Sequence, residues 1–278
     1  MITLSDDGPG TLLRYPDFPS QYVQPRHVDI WLPPGYSENA AQRFPVIYMQ
    51  DGQNLFEPAI AFGGETWDVD GVLCDLMETQ AAPGAIIVGI WNSSWRYQEY
   101  MPQKPLEPAQ AADILQKFCN LHIHPPISDQ YLRFIVEEVK PFIDASFRTR
   151  PEQANTSIMG SSMGGLISLY ALTEYPYCFG GAGCLSTHWP VGEDYLVDVL
   201  AQALPPPGAH RLYFDFGTEG LDALYEPYQQ RMDSHLQALG YTPEVDWITR
   251  KFPGADHTEI AWRARVDIPL RLLLRASA

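Results

Sequence analysis

Residues 158–165 encode a tight strand–turn–helix unit and read Ile-Met-Gly-Ser-Ser-Met-Gly-Gly. A short β-branched run precedes this unit and an apolar, helix-like run follows it, so Ser162 falls on the turn. The flanking glycines leave room for the backbone to bend sharply. Because such a turn exposes the serine hydroxyl beside a base, the G-x-S-x-G pattern predicts a nucleophilic Ser162. Chance supplies about 0.1 matches in a chain of this length, so the rest of the chain must support this prediction.

Short apolar runs elsewhere predict a sheet that is buried on both faces. Segments 44–49 and 85–90 are continuous and partly β-branched, as in the central strands of parallel sheets. The predicted strands are 26–32, 44–49, 85–90, 156–159, 180–185, 212–216 and 245–249, and the predicted helices are 67–78, 131–147, 164–175, 222–239 and 258–274. This alternation favours an α/β fold with a mostly parallel central sheet flanked by helices, in a single domain spanning residues 1–278.

One proline-rich segment interrupts this alternation. Residues 102–130 contain five prolines and a short helical stretch at 109–118. We predict a cap-like insertion over the C-terminal edge of the sheet, and a surface loop without function is the alternative. His122 and His124 lie in this segment without a third ligand at suitable spacing, so no metal site is predicted.

The charge balance excludes some classes of partner. The chain of 278 residues carries 34 acidic and 18 basic residues, for a formal charge of −16. A field of this sign repels phosphate backbones, so we expect no nucleic-acid partner. No apolar run approaches the roughly 20 residues of a membrane span, so no membrane partner is expected. The N-terminal residues show no basic segment followed by an apolar one, and we therefore expect a cytoplasmic protein.

The cysteines predict neither a zinc site nor a disulfide framework. They lie among apolar neighbours without a C-x-x-C pair, which is typical of buried reduced thiols. A disulfide between Cys178 and Cys184 is an alternative without positive support. The four residues are Cys74, Cys119, Cys178 and Cys184.

A serine nucleophile needs a histidine base farther along the chain. His210 precedes a predicted strand and therefore lies at the wrong end of it, and His235 lies within a predicted helix. His257 follows the strand 245–249 in a loop that opens the last helix. This position, at the active-site edge of the sheet, makes His257 the predicted base.

The acid that orients the base should follow the strand 212–216. Glu219 and Asp222 both lie on the loop after it, and Glu219 is preferred because it is closer to the strand end. Asp222 is the alternative acid, and it could instead cap the following helix. Asp215 lies within the strand, and Asp256 is adjacent to His257, so both are weaker candidates.

Two backbone N–H groups are predicted to form an oxyanion hole. The first belongs to Met163, which follows the nucleophile at the start of a helix. The second belongs to Gln53, in the turn after the strand 44–49, where Gly52 permits a sharp bend.

Several segments together resemble a known family. They are Leu32-Pro-Pro-Gly-Tyr, Tyr48-Met-Gln-Asp-Gly-Gln-Asn-Leu-Phe, Gly89-Ile-Trp-Asn with the following Arg96 and Glu99-Tyr-Met-Pro, Phe147-Arg-Thr, and the Ser162 unit. In this order they resemble the esterase family of α/β-hydrolases, which is similar to S-formylglutathione hydrolase (esterase D), feruloyl and acetylxylan esterases, enterochelin esterases and mycolyltransferases. The resemblance covers most of the chain and implies an α/β-hydrolase fold and a carboxylic-ester hydrolase. One departure is Gln50, which stands where many relatives carry histidine.

These observations predict a serine esterase that forms an acyl-enzyme on small, aryl or carbohydrate-linked esters and needs no cofactor. The alternatives are an acyltransferase with the same triad, or a non-catalytic binding module. The oligomeric state is open, with a homodimer as one option. Aromatic and polar residues on loops after strands are the predicted substrate contacts, and Arg96 could instead pair with Glu99 or Asp68. These contacts are Trp67, Trp91, Asn92, Arg96, Tyr100, His188 and Trp189.

Overall fold

The computed structural model describes residues 1–8 and 10–275, and in this part of the chain nine strands form one sheet. The sheet order is β1-β2-β3-β5-β4-β6-β7-β8-β9. Strands β1, β2, β3 and β5 pair antiparallel, and all pairs from β5 through β4 to β9 are parallel. The strands are β1 (Ile2–Gly8), β2 (Gly10–Phe18), β3 (Arg26–Leu32), β4 (Val46–Gln50), β5 (Ile86–Ile90), β6 (Thr156–Ser161), β7 (Gly181–Leu185), β8 (Arg211–Gly217) and β9 (Trp247–Phe252).

Helices cover both faces of the sheet, so alternate residues of a central strand enter two separate cores. In β4, Val46 and Tyr48 belong to one core, and Ile47 and Met49 belong to the other. The helices are α1 (Val69–Glu78), α2 (Arg96–Tyr100), α3 (Ala112–His122), α4 (Ser128–Arg133), α5 (Lys140–Ser146), α6 (Met163–Glu174), α7 (Glu193–Gln202), α8 (Glu226–Ala238), α9 (Glu259–Arg263) and α10 (Asp267–Leu273). Helices α1 and α10 contribute to the second core, and α3 to α8 to the first.

The mostly parallel sheet flanked by helices confirms the predicted architecture, with differences at the ends of the chain. Strands β1 and β2 were not predicted, because charged and polar residues interrupt their apolar residues and leave no continuous apolar run. The predicted helix 258–274 is two helices, α9 and α10, and the predicted strand 245–249 begins two residues later. The predicted helix 131–147 begins at Ser128, and a π-helical segment at Phe134–Val139 joins α4 to α5.

The proline-rich segment packs on the body of the domain. It forms two short 3-10 turns (Lys104–Leu106 and Ala109–Ala111) followed by α3, which ends later than the predicted stretch 109–118. Leu106 and Phe118 are buried in the first core, and the Tyr195 hydroxyl of α7 donates to the Pro105 carbonyl. The segment is therefore held in place beside α7.

The helices and the cysteines bear on the expectations about membranes and disulfides. Within the described ranges, every helix is too short or too polar to cross a membrane. The four cysteines, all described, form no disulfide with one another. Burial raises the pKa of the Cys178 thiol to about 11, so this group is protonated at neutral pH.

Candidate active site

The turn between β6 and α6 holds Ser162 in a strained backbone conformation. Its φ is 58° and its ψ is −125°, a combination that residues other than glycine rarely adopt. The Ser162 N–H donates to the Leu185 carbonyl at 2.9 Å, which ties the turn to β7. A Cβ on Gly160 would lie 2.8 Å from the backbone of Gly164, so a side chain there would force the turn apart. The glycine of the motif is thus required by the close approach of strand and helix.

His257 lies on the loop between β9 and α9, and its orientation is set by Asp222. The ring Nδ1 is 2.6 Å from Asp222 Oδ1, and Asp222 Oδ2 accepts bonds from Ser186 Oγ and the Gly217 N–H, both at 2.6 Å. Burial would raise the pKa of Asp222, but the bonds from His257, Ser186 and Gly217 outweigh it, and the pKa is lowered. The ionised carboxylate favours the tautomer with hydrogen on Nδ1, which leaves Nε2 as a proton acceptor.

This hydrogen bond pairs His257 with the alternative candidate, Asp222, and not with the preferred one, Glu219, and the role of acid itself stays a prediction. The N–H of Glu219 donates to the Ala255 carbonyl at 3.0 Å, while its side chain is exposed to solvent. The chain then coils through a 3-10 turn at Gly220–Leu224, which carries Asp222 back under the end of β8, where it is fully buried. The number of residues that separate a carboxylate from the end of β8 was therefore a poor guide to its distance from His257 in space.

A buried network of charged and polar groups surrounds the Asp222 carboxylate. Asp215 Oδ1 accepts bonds from Arg265 Nη2 at 2.9 Å and from the Ser186 N–H at 3.0 Å. Arg265 Nη2 is also 3.7 Å from Asp222 Oδ2. The Ser186 hydroxyl accepts bonds from Arg265 Nη2 at 2.8 Å and Trp262 Nε1 at 3.0 Å. Because both lone pairs of this hydroxyl are occupied, its hydrogen is left to donate to Asp222.

The two predicted oxyanion donors both lie at helix starts next to the cleft. Met163 is the first residue of α6, and Gln53 is the second residue of a 3-10 turn at Gly52–Asn54, so helix geometry provides neither N–H with an acceptor inside its own helix. A Cβ on Gly52 would lie 2.5 Å from the backbone of Gly89, which shows how tightly this turn packs on β5. The predicted role of both N–H groups stays a prediction.

Asp51 anchors the turn that carries Gln53. Its φ is 55°, and its carboxylate accepts two bonds from Arg96 and one from Asn92 Nδ2, all at 2.7 Å. Asn92 N–H in turn donates to Gln53 Oε1 at 3.2 Å. Arg96 therefore pairs with Asp51, whereas Glu99 pairs with Arg26, so neither partner considered for Arg96 is the observed one.

Ser162 and His257 line a cleft of about 420 Å³, which we call the main cleft. Four of the predicted substrate contacts line it, namely Trp67, Asn92, Arg96 and His188, together with Gln53, Ser162, Met163 and His257. Sequence reasoning missed several other lining residues. Glu259 and Trp262 follow His257 within the same short segment, which is a signal that could have identified them. The missed residues are Asp51, Asn54, Phe62, Tyr97, Ser161, Leu221, Glu259 and Trp262.

Three predicted contacts do not line the main cleft. Trp91 Nε1 donates to Asp29 Oδ2 at 2.8 Å, and Trp189 is buried and its Nε1 donates to Gln229 Oε1 at 3.2 Å. Tyr100 is also fully buried, where its hydroxyl accepts a bond from the Asp51 N–H at 3.3 Å. Trp189 and Tyr100 are thus packed in the core, where large aromatic rings contribute most to stability.

His188 stands beside Ser162 in an uncharged state. The backbone N–H of His188 donates to the backbone carbonyl of Ser162 at 3.2 Å, and the ring Nδ1 of His188 is 2.7 Å from the Tyr225 hydroxyl. Burial, together with the positive charge of Arg96 nearby, lowers the pKa of His188 to about 4. The imidazole is therefore neutral at neutral pH. Burial also raises the pKa of Tyr225, whose phenol interacts with the Ser162 side chain.

Gln50, His122 and His124 have structural partners. Gln50 is buried behind the Ser162 turn, where its Oε1 accepts a bond from the Tyr131 hydroxyl. His122 stacks on Tyr97 and His124 stacks on Trp95, with ring centroids 4.2 Å and 4.7 Å apart. In residues 1–8 and 10–275, no three histidine, cysteine or acidic side chains are grouped as metal ligands.

Comparison with known proteins decides the family. The family model described as "Putative esterase" matches residues 20–266. The chain belongs to this esterase family. It is 28% identical over 195 residues to the uncharacterized protein YbbA of Bacillus subtilis (strain 168), covering 70% of this chain and 68% of that protein.

Solved structures of two hydrolases share the fold of this chain. A ferulic acid esterase superposes with a TM-score of 0.68 at 16% identity, covering 96% of this chain and 99% of the other. An IroE-like serine hydrolase from Shewanella oneidensis superposes with a TM-score of 0.70 at 19% identity, covering 96% and 80%. The chain therefore has the α/β-hydrolase fold, as its resemblance to the family implied, and it is an esterase by family.

Proposed function

We propose that this esterase is a serine carboxylic-ester hydrolase that works through an acyl-enzyme intermediate. One observation carries the proposal: Ser162 and His257 line the same cleft, and Asp222 binds Nδ1 of that histidine at 2.6 Å. Serine, acid and histidine follow one another in the chain order typical of α/β-hydrolases. The family match independently supports ester chemistry.

The first half of the reaction forms the acyl-enzyme. Ser162 Oγ attacks the ester carbonyl carbon while His257 Nε2 accepts the hydroxyl proton, and ionised Asp222 stabilises the resulting imidazolium. The carbonyl oxygen becomes an oxyanion that accepts bonds from the N–H groups of Met163 and Gln53, each worth about 100- to 1,000-fold in rate. When the carbon–oxygen bond to the alcohol breaks, the His257 proton passes to the leaving oxygen, and the acyl group stays on Ser162.

The second half releases the acid. A water molecule loses a proton to His257 Nε2 and adds to the acyl carbon, which again places an oxyanion between the two N–H groups. The bond to Ser162 Oγ then breaks, and His257 returns the proton to that oxygen. The free enzyme is restored without a cofactor.

The lining of the main cleft supports small, aryl or carbohydrate-linked esters as substrates. The lining includes the aromatic residues Phe62, Trp67, Tyr97 and Trp262, and Asn92 and Glu259 add hydrogen-bonding groups. Aromatic faces stack on aryl rings and sugars, and polar groups then fix the orientation of the ligand. A similar structure is that of a ferulic acid esterase, which agrees with an aryl ester.

Covalent labelling tests the proposed nucleophile. We expect a fluorophosphonate probe to modify the wild-type protein at Ser162, as located by peptide mass spectrometry, and to leave Ser162→Ala unlabelled. The adjacent Ser161→Ala variant is the matched control and should still take up the label. Labelling that persists in Ser162→Ala would reject the proposal, and a product formed only with an added alcohol acceptor would favour acyl transfer.

A further inference from the structure

A second cleft of about 250 Å³ adjoins the main cleft, and we call it the side cleft. Helix α3 of the proline-rich segment forms one wall, and the 3-10 turn Trp189–Val191 forms the opposite wall. Tyr97, Met163 and His188 line both clefts, and Met163 directly follows Ser162. The two spaces therefore meet beside the proposed nucleophile.

The side cleft is apolar inside, and its charges lie at the rim. Its apolar lining comprises Ile114, Phe118, Leu121, Met163, Pro190 and Val191. Lys117 and Glu193 pair with each other at 3.1 Å across the rim, and both side chains are more than half exposed. The imidazole of His188 adds no charge at neutral pH, because burial lowers its pKa to about 4; its Nδ1 lies 2.7 Å from the Tyr225 hydroxyl. The space thus suits an uncharged apolar group.

The proton path decides which half of the ester enters which cleft. In the proposed mechanism, His257 must give its proton to the leaving alcohol, so the alcohol lies on the side of this histidine. His257 lines the main cleft and is not among the residues of the side cleft. The acyl group extends away from the leaving oxygen, toward Met163 and His188, where the side cleft opens.

We infer that the side cleft is an acyl-binding subsite that selects uncharged apolar acyl groups longer than acetyl. This inference rests on the proposed serine esterase function. Its volume is below the roughly 300–1,000 Å³ of whole ligand sites, which agrees with a subsite for one part of a substrate. The main cleft, where His257 lies, is then left to the alcohol.

An acyl-chain series with a constant leaving group tests the inference. Burial of one methylene is worth about 0.8 kcal/mol, or up to about fourfold in kcat/KM. For p-nitrophenyl acetate, butanoate and hexanoate, we expect kcat/KM to rise along the series by about tenfold or more in total. A wild-type protein that prefers acetate would overturn the inference and leave the serine esterase intact. A protein that hydrolyses none of these esters would overturn both.

Variants that fill the side cleft give the second arm of the test. Ile114→Trp should remove the preference for hexanoate and retain turnover of acetate, which also reports that the variant is folded. Gln116→Trp is the matched control, because Gln116 is exposed on the same helix and does not line the cleft. Val191→Trp fills the cleft from the opposite wall and should act like Ile114→Trp. Equal losses on acetate and hexanoate in both filling variants, or a lost preference in Gln116→Trp, would contradict the assignment.

Discussion

Replacement of Asp222 by asparagine keeps the shape of the side chain and tests how the surroundings orient His257. The Gly217 N–H can only donate, and the Ser186 hydroxyl must donate because its acceptor positions bind Trp262 and Arg265. Both point at the Oδ2 position, so the amide oxygen must occupy it. The amide NH₂ then faces His257 Nδ1.

That orientation forces the wrong tautomer of the histidine. An amide N–H that donates to Nδ1 leaves the ring hydrogen on Nε2, where it blocks proton transfer from Ser162. In serine hydrolases this exchange of acid for amide lowers kcat by about 10,000-fold, which corresponds to about 5.4 kcal/mol in activation free energy. We expect a loss of this size for Asp222→Asn, with little change in KM.

Steady-state kinetics with a p-nitrophenyl ester, together with thermal unfolding as a check of the fold, measure this effect. Glu219→Gln is the matched control, because it makes the same change three residues away on an exposed side chain. It should keep wild-type activity. The reasoning is refuted if Asp222→Asn stays within tenfold of the wild type, or if Glu219→Gln is the variant that loses activity.

Three further changes test other parts of the structure. Gly52→Ala introduces a Cβ 2.5 Å from the backbone of Gly89, so we expect a lower kcat and a melting temperature several degrees lower, with calorimetry and kinetics as the measurements. Because the folded-state pKa of His188 is lowered to about 4, its contribution to stability is present above the ordinary histidine pKa and is lost as the pH falls from about 6.5 toward 4. In urea unfolding at pH 7 and pH 5, the stability difference between wild type and His188→Asn should therefore shrink at pH 5, and an unchanged difference would contradict this linkage. Glu99→Gln leaves the buried Arg26 guanidinium without its ionic partner, so the free energy of unfolding should fall by about 3–5 kcal/mol, and a loss below 1 kcal/mol in urea titration would count against a buried pair.

Local sequence patterns were sufficient to predict those elements whose structure depends on residues that are neighbours in the chain. The turn at Ser162 was predictable because its strand, turn and helix are contiguous, and because Gly160 and Gly164 pack against each other within it. The central strands were predictable because both of their faces are buried, which demands an apolar run. Strands β1 and β2 escaped prediction because they are held by antiparallel pairing, of β1 with β2 and of β2 with β3, and neither has a continuous apolar run of its own.

The choice between Glu219 and Asp222 depended on the tertiary structure. Both carboxylates follow β8 within five residues, and the chain pattern favours neither by chemistry. The path of the backbone through Gly220, at a φ of 54°, and the bonds from Ser186 and Gly217 bring Asp222 to the histidine. The sequence alone thus indicated the family, the central strands of the sheet and the positions of Ser162 and His257, because these follow from patterns within contiguous segments. Which carboxylate binds His257, and which aromatic rings face the cleft, was decided only by contacts between segments far apart in the chain.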